Sequence, residues 1–276
     1  MGKNYKLFIK EEFKMIVAAL SILLTSYVSA TGGGSFYNPK LGGDLSYHKV
    51  RLLEYNEAGA GTWLFRTNLP AVNGSFAYDT LVSYMQQRSI EANVSFPNIT
   101  TQGVKLVDIS LLSVNSYSDI QIEKDFFEGN PDKGIFYNWP IVGSLVSPNW
   151  LSEAERIKEV AALNSSIDDM PSLIPKIRNA VFSDVSPSKP TMIFFHCEAG
   201  SDRTGQVAGS YMMQYHGYTA KQAYEWDNEV AQRQIASMSQ NGLLFYCWWL
   251  TYQQGYKNLD CMNYSIASDI EIPIII

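Results

Sequence analysis

Cysteine, histidine and basic residues are all scarce in this chain of 276 residues. Three cysteines are too few for a disulfide-dense miniature scaffold. The three histidines, His48, His196 and His216, stand far apart, and none falls in an HExxH or a Cys/His finger pattern. The spacing therefore predicts no structural zinc site and no metal. Lys and Arg number 21 against 27 Asp and Glu, a formal net charge of −6. The basic face that nucleic-acid binding requires is missing. Long apolar runs are missing too. Met15 to Leu24 falls short of the roughly 20 residues that span a bilayer, and the apolar tail Ile272 to Ile276 is too short for a lipid-anchor signal. What is present is ordinary globular composition, 46% hydrophobic and 17% charged, which excludes a disordered or collagen-like chain.

The N-terminus reads as an address. Lys3, Lys6, Lys10 and Lys14 form a basic leader interrupted by Glu11 and Glu12. The apolar stretch from Met15 follows, and then Val28-Ser29-Ala30, small residues suited to cleavage before Thr31. A membrane anchor is the competing reading, disfavoured by the shortness of the apolar run. Cleavage removes four Lys and two Glu and leaves a mature charge of −8. Asn73, Asn93, Asn98, Asn164 and Asn263 each open an N-glycosylation pattern. Together these predict a secreted or secretory-pathway glycoprotein, with no transmembrane span once the signal is removed, in a compartment that permits disulfides. The expected organisation is a signal peptide over 1–30, a flexible arm and lead-in segment over 31–59, and one domain over 60–276.

Along the mature chain, strand and helix patterns alternate. Glu57 to Gly61 reads as a turn between two strands, and Trp63-Leu-Phe-Arg66 as a strand. A helix is expected over Asp79 to Arg88, a β-rich run over Val104 to Ile109, and another from Ile135, broken by Pro140. Ser152-Glu-Ala-Glu155 fits a capping box opening a helix to about Leu163, and Pro175 to Phe182 a shorter helix. Thr191 to His196 is a near-continuous apolar run, as expected of a strand buried on both faces. Helices are expected over Thr204 to Tyr215, from the capping box Thr219-Ala-Lys-Gln222 to about Val230, and over Leu243 to Tyr252. This alternation predicts an α/β fold, a central, mostly parallel sheet with helices on both faces.

The chemistry concentrates in His196-Cys-Glu-Ala-Gly-Ser-Asp-Arg-Thr-Gly205, between the buried strand and the next helix. A turn from a strand to a helix N-terminus points successive backbone N–H groups inward and makes an anion cradle, which the helix dipole reinforces. The same field lowers the pKa of a thiol at its centre, here Cys197. Arg203, six residues on, can grip two phosphate oxygens bidentately. Gly200 permits a sharp turn with positive φ, and the Thr204 hydroxyl can hydrogen-bond the sulfur. Thiolate, cradle and clamp describe phosphoryl transfer through a phosphocysteine. The expected phosphate-binding residues are Glu198, Ala199, Gly200, Ser201, Asp202 and Arg203, with His196 in support.

This segment resembles the signature HCxxGxxR[ST] of the protein-tyrosine/dual-specificity phosphatase superfamily. Leu64 to Pro70 is similar to the first strand of dual-specificity members, Tyr218 to Ala223 to the helix after the active-site helix, and Arg233-Gln-Ile235 and Asn241 to Leu250 to the closing helix. The resemblance covers about residues 60–255 and is specific at the loop. It implies a tyrosine-phosphatase-like fold, a side-chain-only mechanism without cofactor, and a general acid about thirty residues before the cysteine. Asp168 and Asp169 fall in that window. A helix cap is the alternative reading for them. Asp202 is a rival, because the Asp-Arg-Thr ending is similar to phosphoinositide phosphatases in which that Asp has been assigned acid duties. Trp139-Pro140 matches the start of the family's WPD motif, but Ile141 replaces its Asp.

Two questions stay open at this level. Cys247 and Cys261 can form a disulfide or remain as two buried thiols. The substrate is a phosphorylated protein or a small phosphorylated molecule. Glu198-Ala-Gly200 also resembles the loop of cysteine phytases, so inositol phosphates and phosphoinositides stand beside phosphotyrosine. Glu198 and Asp202 in the loop, together with the acidic charge, weigh against polyanions. A pseudophosphatase that binds phosphate without turnover is the non-enzyme reading.

Overall fold

Pairing at the carboxyl ends of the strands organises this molecule. The computed structural model describes residues 44–182 and 189–262, so the expectations for the signal peptide, for the arm up to Gly43 and for the Asn263 sequon lie outside the described residues. Strands β1 (Arg51–Asn56), β2 (Thr62–Asn68), β3 (Lys105–Ser110), β4 (Gly134–Asn138) and β5 (Thr191–Cys197) form one sheet in the order β1-β2-β5-β3-β4. β1 runs antiparallel to β2, and the other pairs are parallel. The fold is α/β, as expected. In register, Asn68 pairs with Cys197, Ser110 with His196, and Ser110 with Asn138. All parallel strands thus end on one edge, where ligands bind in open α/β sheets.

Helices cover both faces. They are α1 (Tyr78–Glu91), α2 (Tyr117–Gly129), α3 (Glu153–Ala161), α4 (Met170–Phe182), α5 (Asp202–Tyr215), α6 (Ala220–Ala231) and α7 (Ser237–Gln254). β5 divides the core by alternation. Ile193, Phe195 and Cys197 belong to the apolar cluster that includes Ile174 of α4, Tyr211 of α5 and Leu243 of α7. Met192 and Phe194 belong to a second cluster, with Leu81 of α1 and Phe127 of α2. Every residue of β2 is buried and β5 is buried from its second residue onward, consistent with strands covered on both faces.

Both capping boxes form with both reciprocal hydrogen bonds, at Ser152/Glu155 and at Thr219/Gln222. Other boundaries move. α4 starts at Met170, before the expected Pro175, which lies inside the helix as its sixth residue rather than opening it. α5 starts at Asp202, so Asp202 and Arg203 lie in its first turn. α2 has no counterpart in the sequence reading, and its weak amphipathicity, with polar residues around Ile120 and Ile122, explains why. Arg51–Asn56, which falls in the lead-in segment ahead of position 60, is the edge strand beside β2. Cys247 and Cys261 are joined by a disulfide with Cα atoms 5.8 Å apart, tying α7 to the chain that follows it.

Candidate active site

β5 ends at Cys197 and α5 begins at Asp202, so the turn between them consists of residues 198–201. Cys197 is the one free cysteine among the described residues and is buried. Its backbone N–H donates to Thr204 Oγ1 at 2.8 Å, which closes the turn over the sulfur. Gly200 has φ +60°, and a Cβ there would lie 2.7 Å from Asn68 Cα and from Thr67 O, so only glycine fits against the end of β2. Leu69 N–H donates to the Glu198 carbonyl at 3.1 Å, which ties the turn to the same strand. Burial by itself pushes the Cys197 thiol up. The Arg203 charge, the Thr204 hydroxyl and the N–H groups of Thr204 and Ser201 outweigh it and hold the thiol below its usual value. Glu198, Ala199, Asp202 and Arg203 are half-buried at the rim, and Gly200 and Ser201 are buried.

Basic groups outside the Cys197 motif reach this loop from distant parts of the chain. Arg66 of β2, fully buried, forms an ion pair with Asp227 of α6 and donates to the Gly200 carbonyl at 2.9 Å. Its guanidinium lies 5.2 Å from the Trp226 ring centroid. Lys49 Nζ donates to Ser201 Oγ at 3.2 Å and to the carbonyls of Val230 and Ala231 at 3.0 and 2.7 Å. Burial, with the Arg66 and Arg233 charges, holds Lys49 down to about 8. Arg233 donates to both Asp202 oxygens at 2.8 and 2.7 Å, and Ala236 N–H donates to Asp202 at 2.6 Å. Burial raises the Asp202 carboxyl, but Arg233, Ala236 N–H and Arg203 hold it below its usual range, so it is ionised.

The carboxylates expected to act as acid have distinct surroundings. Asp168, 7% exposed, accepts from Val142 N–H at 2.8 Å through Oδ1, and from Gly143 N–H and Gln206 Nε2 at 2.9 Å through Oδ2. Its backbone carbonyl accepts from Trp139 Nε1 at 3.0 Å. Burial raises its pKa against those donors. Asp168 thus pins the Trp139–Gly143 segment to α5, where Ile141 is buried in the core. Gly143 has φ +82°, and a Cβ there would lie 2.5 Å from the Met238 carbonyl oxygen, so only glycine lets the segment turn against the start of α7. Asp169, at φ +37°, precedes α4, and its carbonyl accepts from Ser172 and Leu173 N–H, as a helix cap does. The sequence reading did not consider Asp119. It lies half-buried in the first turn of α2, and burial, with the Glu198 and Glu123 charges, raises its pKa.

His196 faces away from the sulfur, onto the α2 side of the sheet. Its Nε2 lies 3.1 Å from Asp108 Oδ1 and 2.5 Å from Glu123 Oε1, with all three side chains fully buried. Burial would lower the imidazole pKa, but Glu123 and Asp108 pull it well above its usual value. Among the described residues, these three are the group whose donor atoms converge closely enough to hold a metal ion. The sequence reading gave His196 a supporting role and had no signal for Asp108 or Glu123, which come from separate elements.

No protein-family model matches the sequence, and no curated protein is significantly similar to it. Among solved structures, P. aeruginosa TpbA in complex with pTyr is similar at 15% identity and a TM-score of 0.32, over 70% of this chain and 86% of that one. The core catalytic domain of the S. cerevisiae PP-IP phosphatase SIW14, in complex with citrate, is similar at 12% identity and a TM-score of 0.34, over 75% of this chain and 90% of that one.

Proposed function

We propose that this chain is a cysteine-dependent phosphomonoester hydrolase of the tyrosine/dual-specificity type. The observation that carries the reading is the placement of Cys197, a buried free cysteine, at the head of a turn whose glycine, Thr204 hydroxyl and following helix N-terminus build an anion cradle, with Arg203 in the first turn of that helix. In this reading the Cys197 thiolate attacks phosphorus, the bond to the leaving oxygen breaks, and the phosphoryl group rests on sulfur until water releases it. Arg203, which has no carboxylate partner among the described residues, grips the equatorial oxygens. Asp202, held ionised with both oxygens engaged by Arg233, is unsuited to give up a proton and positions Arg233 beside the loop instead. Asp168 holds a loop. Asp119, in the first turn of the helix that follows β3 from the carboxyl edge of the sheet, feels the Glu198 charge and is tied to neither task, and we assign it to protonate the leaving group.

A second substrate reading draws support from the surroundings of the loop. Arg233 neutralises Asp202, and Lys49 enters from outside the motif, so the loop is less acidic than its sequence. Small polyphosphorylated molecules, inositol phosphates among them, therefore remain candidates beside phosphotyrosine. Placement outside the cytoplasm is supported by the Cys247–Cys261 disulfide and by the exposure of Asn73, Asn93, Asn98 and Asn164.

The test is phosphate release by wild type and Cys197→Ser from a phosphotyrosine peptide, a phosphothreonine peptide, a phosphatidylinositol phosphate and inositol hexakisphosphate. Release is expected from wild type only, with a loss of about 10⁴-fold or more in the variant. No release by either protein, with phosphate still bound, would establish a binding protein instead. Asp119→Asn is expected to slow the phosphothreonine peptide, a poor leaving group, by about 10²-fold. p-Nitrophenyl phosphate, whose leaving group needs no proton, should be slowed far less. Equal slowing of both would remove Asp119 from the acid role.

A further inference from the structure

The phosphatase reading leaves Asp108 and Glu123 without a task, although they lie directly behind the loop. His196 Nδ1 is 3.3 Å from the Cys197 carbonyl. A carbonyl can only accept, so in that bond Nδ1 carries the hydrogen, and Nε2, which faces Asp108 Oδ1 and Glu123 Oε1, is the atom a cation would take on displacing its proton. Three ligand atoms, from β5, β3 and α2, converge within 4.8 Å of one another. Asp108 Oδ2 and both Glu123 oxygens are buried without a hydrogen-bond partner among the described residues, the close approach of Nε2 to Glu123 notwithstanding. The hydroxyl of Ser110, which pairs in register with His196, is likewise unpartnered. The charges that act on Asp108, His196 and Asp119 are acidic or imidazole, with no Lys or Arg among them.

Buried carboxylates without a counter-charge cost several kcal/mol each. A single proton on Nε2 can bond one carboxylate and leaves the other exposed to repulsion. One imidazolium charge stands against two carboxylates, and a divalent cation that displaces the Nε2 proton cancels both. The backbone carbonyl on Nδ1 is the outer-shell partner that metal-ligating histidines characteristically have. One nitrogen and two oxygens in a small, dry site suit zinc, which accepts about four such ligands. Magnesium and calcium require six or more oxygens and retain water.

We propose that Asp108, Glu123 and His196 bind one zinc-class divalent ion that ties β3, β5 and α2 together behind the phosphate loop. The ion would also offset the acidity next to Glu198, where a phosphate dianion has to enter. This role is structural and is independent of turnover.

The test uses the full chain carrying Cys197→Ser, so that the thiolate is not a rival ligand. After incubation with zinc and dialysis against metal-free buffer, mass spectrometry of the metal content should find about one zinc per chain. Adding Asp108→Asn and Glu123→Gln should abolish it. Zinc that does not survive dialysis, or an equal amount held by the triple variant, overturns the proposal. Should the triple variant fail to fold, cobalt(II) loading of the Cys197→Ser chain decides. Intense four-coordinate visible bands with no thiolate charge transfer, and a Tm that falls on chelation, are expected. A weak octahedral spectrum or an unchanged Tm overturns the proposal. Because the readout is metal on a catalytically dead chain, its failure leaves the phosphatase reading untouched, and failure of that reading leaves this one.

Discussion

On the flank of the loop that faces α6 and α7, the charged groups that reach the loop are paired, although Arg66 Nε and Asp227 Oδ2 are buried without a hydrogen-bond partner among the described residues. Arg66 meets Asp227, Arg233 meets Asp202, and Lys49 meets a hydroxyl and two carbonyls. On the flank that faces α2, Asp108, Asp119, Glu123 and Glu198 gather around one histidine, and several buried oxygens lack partners. The first flank is electrically complete within the chain and can hold the turn rigid for a phosphate. In the second, the positive charge is that of one imidazolium, shared between Asp108 and Glu123. Burying polar groups is tolerated when they are paired, so the contrast marks the flank on which the proposed ion would act.

The sharpest way to break this contrast is to unbalance the matched flank. Arg66→Met leaves Asp227 as an uncompensated buried charge and should cost about 3–5 kcal/mol in urea unfolding. Arg66→Met combined with Asp227→Leu should recover most of that loss. A single variant as stable as wild type would show that the pair is not what holds Gly200. A smaller effect is expected at Asp168. Asp168→Ala frees the N–H groups of Val142 and Gly143 and the Gln206 amide, and should lower stability by about 1–3 kcal/mol. Its turnover should fall less than that of Cys197→Ser, and an equal fall would return Asp168 to the catalytic machinery.

The smallest effect sharpens the comparison by pH. Lys49 is held down to about 8, so its charge supports the loop below that pH and is lost as pH rises through it. Phosphate release by wild type should therefore show a basic limb near pH 8, which Lys49→Gln should flatten while lowering activity at neutral pH. A limb unchanged in the variant would assign it to another group.

Much of the site was legible because it is local. His196 to Thr204 is one continuous segment, and its turn chemistry, its thiol and its clamp are properties of neighbours in the chain. The capping boxes at Ser152 and Thr219 were readable for the same reason, since each is a bond between residues three apart. Asp202 shows the limit. Its position in the motif suggests an acid, but Arg233, thirty-one residues away, holds it ionised. Asp168 has the right distance in sequence for an acid and is occupied instead by the backbone of a loop that precedes it.

By itself, the sequence determined the alternation of strands and helices, the buried character of β5 and the turn that carries Cys197 and Arg203 from that strand into the next helix, all consequences of short-range pattern and backbone chemistry. Tertiary structure alone decided what surrounds that loop. Arg66 and Lys49 reach it from near the start of the described chain, Asp227 and Arg233 from beyond α5, and Asp108 and Glu123 from β3 and the unanticipated α2. The charge on a buried group is set by whatever lies within a few ångströms, and sheet pairing brings to that distance residues that no spacing along the chain relates. A reading built on histidine and cysteine spacing predicts no metal, and the same chain folds one histidine against two carboxylates more than seventy residues away from it.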